Sequence, residues 1–91
     1  MNDFVSKIVR IEEERDPYIR VDFAAELNEC DSNAIKITLE KIGNSIDHVN
    51  MDVSSSGKHY AIVYRHPCAT IEETLAETNQ ILNEYIFKTW L

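Results

Sequence analysis

The chain has little of the residues that interrupt regular structure or cross-link it. Its 91 residues include only two glycines, two prolines, two cysteines and one tryptophan. The scarcity of glycine and proline excludes a collagenous or low-complexity chain, while 44% hydrophobic and 27% charged residues are typical of a globular protein. A chain of this length predicts a single small domain over residues 1–91.

Long apolar runs and an excess of basic residues are also missing. No apolar run approaches the ~20 residues that cross a bilayer, and residues 1–16 lack the apolar centre of a signal peptide. The expected location is therefore the cytoplasm, without membrane attachment. Sixteen acidic residues against nine basic ones give a net charge of −7. Because phosphates repel such a chain, direct nucleic-acid binding is disfavoured and a protein partner is expected.

The cysteines and histidines do not form a recognisable site. Cys30 and Cys68 are not paired in a C-x-x-C motif, so the expectation is two free thiols, with Cys68 half-buried beside a proline corner. His66 and Cys68 are two possible metal ligands where a structural zinc site needs four. Gly57 and Lys58 precede a predicted strand, whereas a phosphate-binding loop opens a helix. The sequence predicts no metal, no cofactor and no catalytic residues.

The first half of the chain predicts a strand followed by a helix. Residues 18–27 alternate apolar and polar side chains, as in a half-buried strand. A helix follows, because capping-type side chains precede apolar residues spaced four, three and four apart. These apolar residues are Ile35, Leu39, Ile42 and Ile46. Gly43 and Asn44 lie near the predicted end of the helix, where a left-handed cap is cheap for glycine.

The second half predicts a hairpin followed by a long helix. Residues 48–53 and 59–65 alternate again, and a Ser-Ser-Ser-Gly cluster at 54–57 joins them as a turn. Thr70 and Glu73 have the spacing of a capping box, which starts a helix of about twenty residues. Its apolar stripe comprises Ile71, Leu75, Thr78, Leu82, Tyr85, Ile86 and Thr89, and the chain ends in further apolar residues, Phe87, Trp90 and Leu91.

The N-terminal arm, residues 1–16, fits either a helix or a strand. Its apolar residues share one helical face, while their β-branching permits a strand that would pair with residues 18–27. Apart from this arm the order is β-α-β-β-α. The predicted fold class is therefore α+β, with a small antiparallel sheet of three or four strands and two helices packed on one face.

From residue 18 onward the chain resembles the small dimerising subunit of the KEOPS complex, which supports threonylcarbamoyl modification of tRNA adenosine. The likeness is strongest in the hairpin at 48–65, the Pro-Cys-Ala-Thr corner at 67–70 and the long helix. In that family an asparagine followed three residues later by leucine lies in the final helix, which matches Asn79 and Leu82. The family's early helical arginine has no counterpart here. The resemblance implies an accessory subunit that dimerises without catalysing a reaction.

The expected function is therefore a non-catalytic interaction subunit, forming a homodimer or heterodimer through its C-terminal helix. The predicted interaction residues are Leu75, Asn79, Leu82, Tyr85, Ile86 and Trp90. The same apolar stripe also fits the core of the domain itself, and both interpretations stay open at this point.

Two other functions are compatible with the residues. A small acidic inhibitor that mimics nucleic acid would use the carboxylates of residues 12–16 and 72–84. A sheet platform for nucleobases would use Tyr60, Tyr64 and Arg65, although the charge of the chain opposes it. Acid–base pairs such as Asp22 with Glu26 arise from ordinary strand and helix spacing, so catalysis is not expected.

Overall fold

A computed structural model describes residues 5–13 and 15–86, and all of their side chains except those of Tyr85 and Ile86. Its elements are β1 Val5–Ile11, β2 Tyr18–Phe23, α1 Glu29–Ile42, β3 Ile46–Val53, β4 His59–Arg65 and α2 Ile71–Ile81, and a π-helical turn, Leu82–Ile86, continues α2. The α+β class is confirmed, with a four-stranded antiparallel sheet and two helices.

The sheet has the strand order β1-β2-β4-β3, so β4 is central and β1 and β3 are the edges. Within the N-terminal arm, residues Val5–Ile11 take the strand alternative, and β1 pairs with β2 as a hairpin in which Ile8 lies opposite Val21. Because β4 runs antiparallel to both of its neighbours, β2 and β3 are parallel to each other. The helix α1 makes the crossover between them, as parallel strands require.

Both helices begin at side chains that cap them. The Asn28 side chain accepts a hydrogen bond from the Asp31 backbone N–H at 2.7 Å and starts α1. The predicted capping box of α2 is confirmed, since the Thr70 hydroxyl and the Glu73 carboxylate each accept a backbone N–H at 3.1 Å. Each bond satisfies a donor that has no partner within the helix.

Two boundary predictions were wrong, one for the first strand and one for the first helix. The first strand ends at Phe23 rather than at residue 27. Ile46 is not helical but begins β3, because α1 ends at Ile42. Gly43 caps α1 with φ −72°, which is extended and not left-handed. The predicted twenty-residue helix is α-helical only to Ile81, and its last residues, 87–91, lie outside the described residues.

The core lies between one face of the sheet and both helices. Its buried strand residues alternate along the chain, which matches the period of a sheet with one face covered. The core contains Val5, Ile19, Val21, Phe23, Leu27, Ile35, Leu39, Ile46, Val49, Ala61, Val63, Ile71, Ile81 and Leu82. The predicted turn at 54–57 is confirmed, with Gly57 at φ +84°, a conformation that favours glycine.

Two glutamates join the helices to the β3 side of the sheet. Glu40 on α1 accepts a hydrogen bond from the Val49 backbone N–H at 2.8 Å and pairs with Lys36 at 2.7 Å. Glu77 on α2 accepts from the Ser45 backbone N–H at 2.7 Å and from its hydroxyl at 2.6 Å. Burial would raise the pKa of each carboxyl, but the hydrogen bonds outweigh it and both pKa values fall below 4.5.

Lowered carboxyl pKa values predict that acid weakens these two connections. Their contribution is complete above pH ~4.5 and is lost as the pH falls through the lower pKa values of the folded state. We expect the double variant Glu40→Gln/Glu77→Gln to lose about 2 kcal/mol of unfolding free energy at pH 7, and its gap to the wild type to narrow as the pH falls below ~4.5. Urea unfolding across this range measures it, with the exposed Glu26→Gln as the control. A constant gap between wild type and double variant would contradict the prediction.

Candidate protein-interaction surface

The two faces of the sheet have different surroundings. One face packs against the helices, and among the described residues no helix or strand packs on the other, which we call the open face. Strand alternation and the pairing register place three residues of each strand there. The open face consists of Lys7, Val9 and Ile11 on β1, Tyr18, Arg20 and Asp22 on β2, Tyr60, Ile62 and Tyr64 on β4, and His48, Asn50 and Asp52 on β3.

An aromatic row crosses one end of the open face. The His48 and Tyr64 rings stack with centroids 4.4 Å apart and planes 21° from parallel. Tyr18 continues the row, with its ring centroid 6.0 Å from that of Tyr64. Desolvation and the nearby Glu13 carboxylate raise the pKa of Tyr18 above its ordinary value. The row therefore offers flat apolar rings together with hydroxyl groups that can donate.

An arginine is held flat near the centre of the open face. The Arg20 guanidinium lies 4.0 Å from the centroid of the Tyr60 ring and donates to the Asp22 carboxylate at 3.0 Å. The hydrogen bond to Asp22 raises the pKa of Arg20 above its ordinary value. A side chain already fixed by a ring and a carboxylate loses little further freedom when a partner binds.

The open face is electrically neutral although the chain is acidic. Its two cations, Lys7 and Arg20, balance its two carboxylates, Asp22 and Asp52, whereas the whole chain carries −7. Ile62 lies between them but is only 8% exposed, so it adds little apolar surface. A shallow depression of about 450 Å³ lies between β1 and β2, beside Val9 and Arg20. The excess negative charge therefore lies outside this surface.

The predicted interaction residues on the C-terminal helix do not form an exposed apolar surface within the described residues. Leu82 is 0% exposed and belongs to the core. Its side chain therefore packs within the domain and is not on an exposed surface, where an interaction residue was predicted. Leu75 is half-buried against the core, and Asn79 donates its side-chain N–H to the Leu75 carbonyl at 3.0 Å. Tyr85 and Ile86 lie in the π-helical turn, with side chains outside the description. Trp90 lies outside the described residues.

The carboxylates of the two acidic runs are used largely inside the fold. In the first run, Glu12 pairs with Arg10, Glu13 accepts from the Tyr18 hydroxyl and Asp16 pairs with Arg65. In the second run, Glu72 pairs with Arg10, and Glu73 and Glu77 accept backbone N–H groups. Glu14 lies outside the described residues. These carboxylates thus have partners within the chain, although Glu12, Glu72 and Asp16 stay largely exposed, and the sequence pattern alone did not indicate the pairing.

A groove of about 520 Å³ lies between α2 and the turns at 44–45 and 66–69. It is lined in part by His66, Cys68 and Glu73, and the Cys68 backbone N–H donates to His66 Nδ1 at 3.1 Å. Both cysteines are free, as predicted, but Cys68 is exposed rather than half-buried. Within residues 5–13 and 15–86 there is no cluster of three metal-ligating side chains, and no helix there is long and apolar enough to cross a membrane.

The sequence pattern predicts part of the open face but not its centre. Tyr60 and Tyr64 were recognised as neighbours on one strand face. Arg65, grouped with them, lies on the helix side, where it binds Asp16 at 2.8 Å. Arg20 takes the cationic position instead, through the β2–β4 pairing that the sequence did not reveal. The sequence did contain one signal for this face, because polar and aromatic side chains alternate with apolar ones along β2, β3 and β4.

Comparison of the chain with protein-family models, with curated proteins and with solved structures finds no match in any of the three.

Proposed function

We propose that this protein is a non-catalytic interaction subunit that binds another protein through its open face. The observation that carries the proposal is a neutral, tyrosine-rich sheet face left uncovered by the described residues of an acidic domain. Tyrosine and arginine are enriched among the residues that dominate binding energy at protein interfaces. Here Tyr60 and Tyr64 flank an arginine that is already held in place.

A protein fits this surface better than a nucleic acid. Sheet platforms that stack nucleobases combine aromatic rings with a basic path for the phosphates. The open face has the rings, but Asp22 and Asp52 cancel the charge of Lys7 and Arg20. Single-stranded nucleic acid would therefore gain stacking without phosphate attraction, whereas a neutral protein surface meets no such conflict.

The acidic-inhibitor alternative has less support. A nucleic-acid mimic needs unpaired carboxylates in a regular array on its surface. In this chain Glu72 is tied to Arg10 at 2.7 Å, and Glu77 is hydrogen-bonded to Ser45. Carboxylates that are already paired within the chain are less able to replace phosphates.

The resemblance to the KEOPS subunit would place this interaction in a tRNA-modification assembly. That assignment stays a prediction. The expectation of pairing through the C-terminal helix is replaced in our proposal by pairing through the sheet, because Leu82 is part of the core.

Matched affinity capture from native lysate tests the proposed surface. We expect wild-type protein to retain its partner and the open-face variant Tyr60→Ala/Tyr64→Ala to retain at least about tenfold less of it. The variant Gln80→Ala/Glu84→Ala, on α2 and the π-helical turn that continues it and called the α2 variant below, should retain the partner as the wild type does. Cooperative urea unfolding of all three verifies that they are folded. Equal capture by the wild type and both variants, or loss only with the α2 variant, would refute the proposed surface. A monomeric wild type that captures nothing would also refute it.

A further inference from the structure

We infer that the aromatic row of the open face binds an extended, proline-rich segment of another protein that carries basic residues at its ends. The inference rests on the proposed function, since it names the chemistry of the partner at the same surface. Three features support it: a row of apolar and aromatic side chains that crosses the whole sheet, carboxylates beside both outer rings of that row, and sheet edges that are protected against strand addition.

The aromatic row continues onto the fourth strand of the sheet. His48 on β3 is paired with Tyr64 on β4, and Tyr18 on β2 is paired with Ile11 on β1. The Tyr18 and Tyr64 rings connect the two pairs, with centroids 6.0 Å apart. The other two rows of paired residues on the open face both contain charged side chains. The aromatic row is therefore the least charged part of the face.

The spacing of the row matches one turn of a polyproline II helix. Neighbouring strands lie ~4.8 Å apart, so the outer rings, those of Tyr18 and His48, are separated by about 10 Å. A polyproline II helix has three residues per turn and rises ~3.1 Å per residue, so prolines three positions apart are separated by about 9 Å. One proline ring can therefore pack on Tyr18 while the proline three positions further packs on the stacked rings of His48 and Tyr64.

The hydroxyl groups of the row suit a partner whose backbone lacks donors. Proline has no backbone N–H, and the carbonyls of a polyproline II helix are not bonded within the helix. The Tyr64 hydroxyl has no hydrogen-bond partner within residues 5–13 and 15–86, and the Tyr18 hydroxyl donates to Glu13 at 3.4 Å, which is long for such a bond. Both hydroxyls can therefore donate to carbonyls of the partner. Surfaces lined by aromatic rings are the usual docking sites of proline-rich segments.

A carboxylate lies beside each outer ring of the row. Glu13 accepts the hydrogen bond from the Tyr18 hydroxyl, and the Asp47 carboxylate lies 2.7 Å from His48 Nδ1. Among the described residues no lysine or arginine forms a salt bridge with either carboxylate. Basic residues before and after the prolines would therefore meet an opposite charge at both ends of the row. The net charge of −7 on the whole chain favours the same partner.

Both edges of the sheet are protected against strand addition, which favours the face as the docking site of an extended partner. At the β3 edge, Glu40 occupies the Val49 backbone N–H, and the register is irregular close to His48. At the β1 edge the register is irregular between Val5 and Lys7. Occupied donors and bulges are devices by which proteins prevent edge-to-edge pairing.

Fluorescence anisotropy with synthetic peptides tests the occupant. The probe is a labelled decaproline peptide with two arginines at each end, and the control peptide replaces the prolines with alternating glycine and serine. The wild type should bind the probe at concentrations on the order of 100 μM, because a contact of about five residues buries much less than the ~1,200 Å² of a stable interface. It should bind the glycine–serine peptide at least about tenfold more weakly, since that flexible chain loses more freedom on binding.

Variants of the rings and of the carboxylates test the site. Tyr18→Ala/Tyr64→Ala should weaken probe binding at least about tenfold, whereas Tyr60→Ala, on the same face but outside the row, should change it less than about twofold. Glu13→Gln/Asp47→Asn should weaken it about three- to tenfold. The matched control, Glu26→Gln/Glu29→Gln, removes two exposed carboxylates elsewhere and should leave binding unchanged. Cooperative urea unfolding verifies that each variant is folded.

The outcomes separate this inference from the proposed function. If the probe does not bind while capture from lysate still depends on Tyr60 and Tyr64, the proline-rich partner is wrong and the proposed surface stands. Equal binding of the probe and the glycine–serine peptide would overturn the inference, as would probe binding that either the ring variant or the carboxylate variant leaves unchanged. A wild type that binds neither the probe nor any lysate protein would refute both proposals. Weaker binding in these two variants and not in their controls supports the inference.

Discussion

Replacing Leu82 with alanine is expected to lower the free energy of unfolding by about 3 kcal/mol, within the usual range for large-to-small core substitutions. Leu82 is 0% exposed and packs in the cluster that joins α2 to the sheet. Truncation removes its apolar contacts and leaves a cavity that the surrounding strands and helices fill only in part. Urea unfolding monitored by circular dichroism measures the loss.

A matched substitution on the same helix distinguishes core packing from a general sensitivity of α2. Thr78 is also 0% exposed, and its hydroxyl oxygen has no hydrogen-bond partner among the described residues. Thr78→Val keeps the shape and removes an unpaired polar group, so it should be neutral or raise stability by about 1 kcal/mol. If Leu82→Ala instead left stability unchanged and abolished self-association, Leu82 would be an interface residue and its place in the core would be wrong.

The second large effect is expected at Gly43, where α1 turns into β3. A Cβ atom built there would lie 2.6 Å from the Ile46 side chain and 2.7 Å from the Leu39 carbonyl oxygen. Both neighbours belong to the core, and the carbonyl accepts the Gly43 backbone N–H at 3.0 Å. Gly43→Ala therefore forces the turn apart and should cost about 2 kcal/mol, as overpacking of a filled site does.

The neighbouring Lys41→Ala provides the control for Gly43→Ala, because Lys41 is exposed in the last turn of α1. It should change stability by less than about 0.5 kcal/mol. Equal unfolding midpoints for Gly43→Ala and the wild type would contradict the close packing of this turn. The backbone at Gly43 is extended, so the expected cost comes from contact with neighbouring atoms and not from a left-handed conformation.

The features predicted correctly from sequence are those set by short stretches of chain. The capping box of Thr70 and Glu73, the turn at 54–57 and the hairpin of β3 and β4 each depend on residues a few positions apart. The start of β3 at Ile46 was missed because the spacing of nearby residues does not determine it. Its spacing from Ile42 continues a helical pattern, but Gly43 ends the helix and Ile46 is buried as part of β3.

In the candidate site too, local patterns predicted some features, and strand pairing or helix packing decided the others. Alternation along single strands identified Tyr60 and Tyr64 as residues of one face. Their grouping with Arg20 depends on the pairing of β2 with β4, whose residues are about forty positions apart in sequence. The helix stripe through Leu75 and Leu82 fitted both a core and an interface, since periodicity reports which side of a helix is apolar and not what covers it.

The sequence by itself determined the α+β class, the order of elements from residue 18 onward and the caps and turn, because local hydrogen bonding and apolar periodicity specify them. Tertiary structure alone decided that the N-terminal arm is an edge strand, that Leu82 belongs to the core, and that a neutral aromatic face remains open on the sheet. Each of these depends on which strands pair and which surface a helix covers. Such long-range pairing and packing depend on how the whole chain buries its apolar residues, and no short segment of the sequence indicates them.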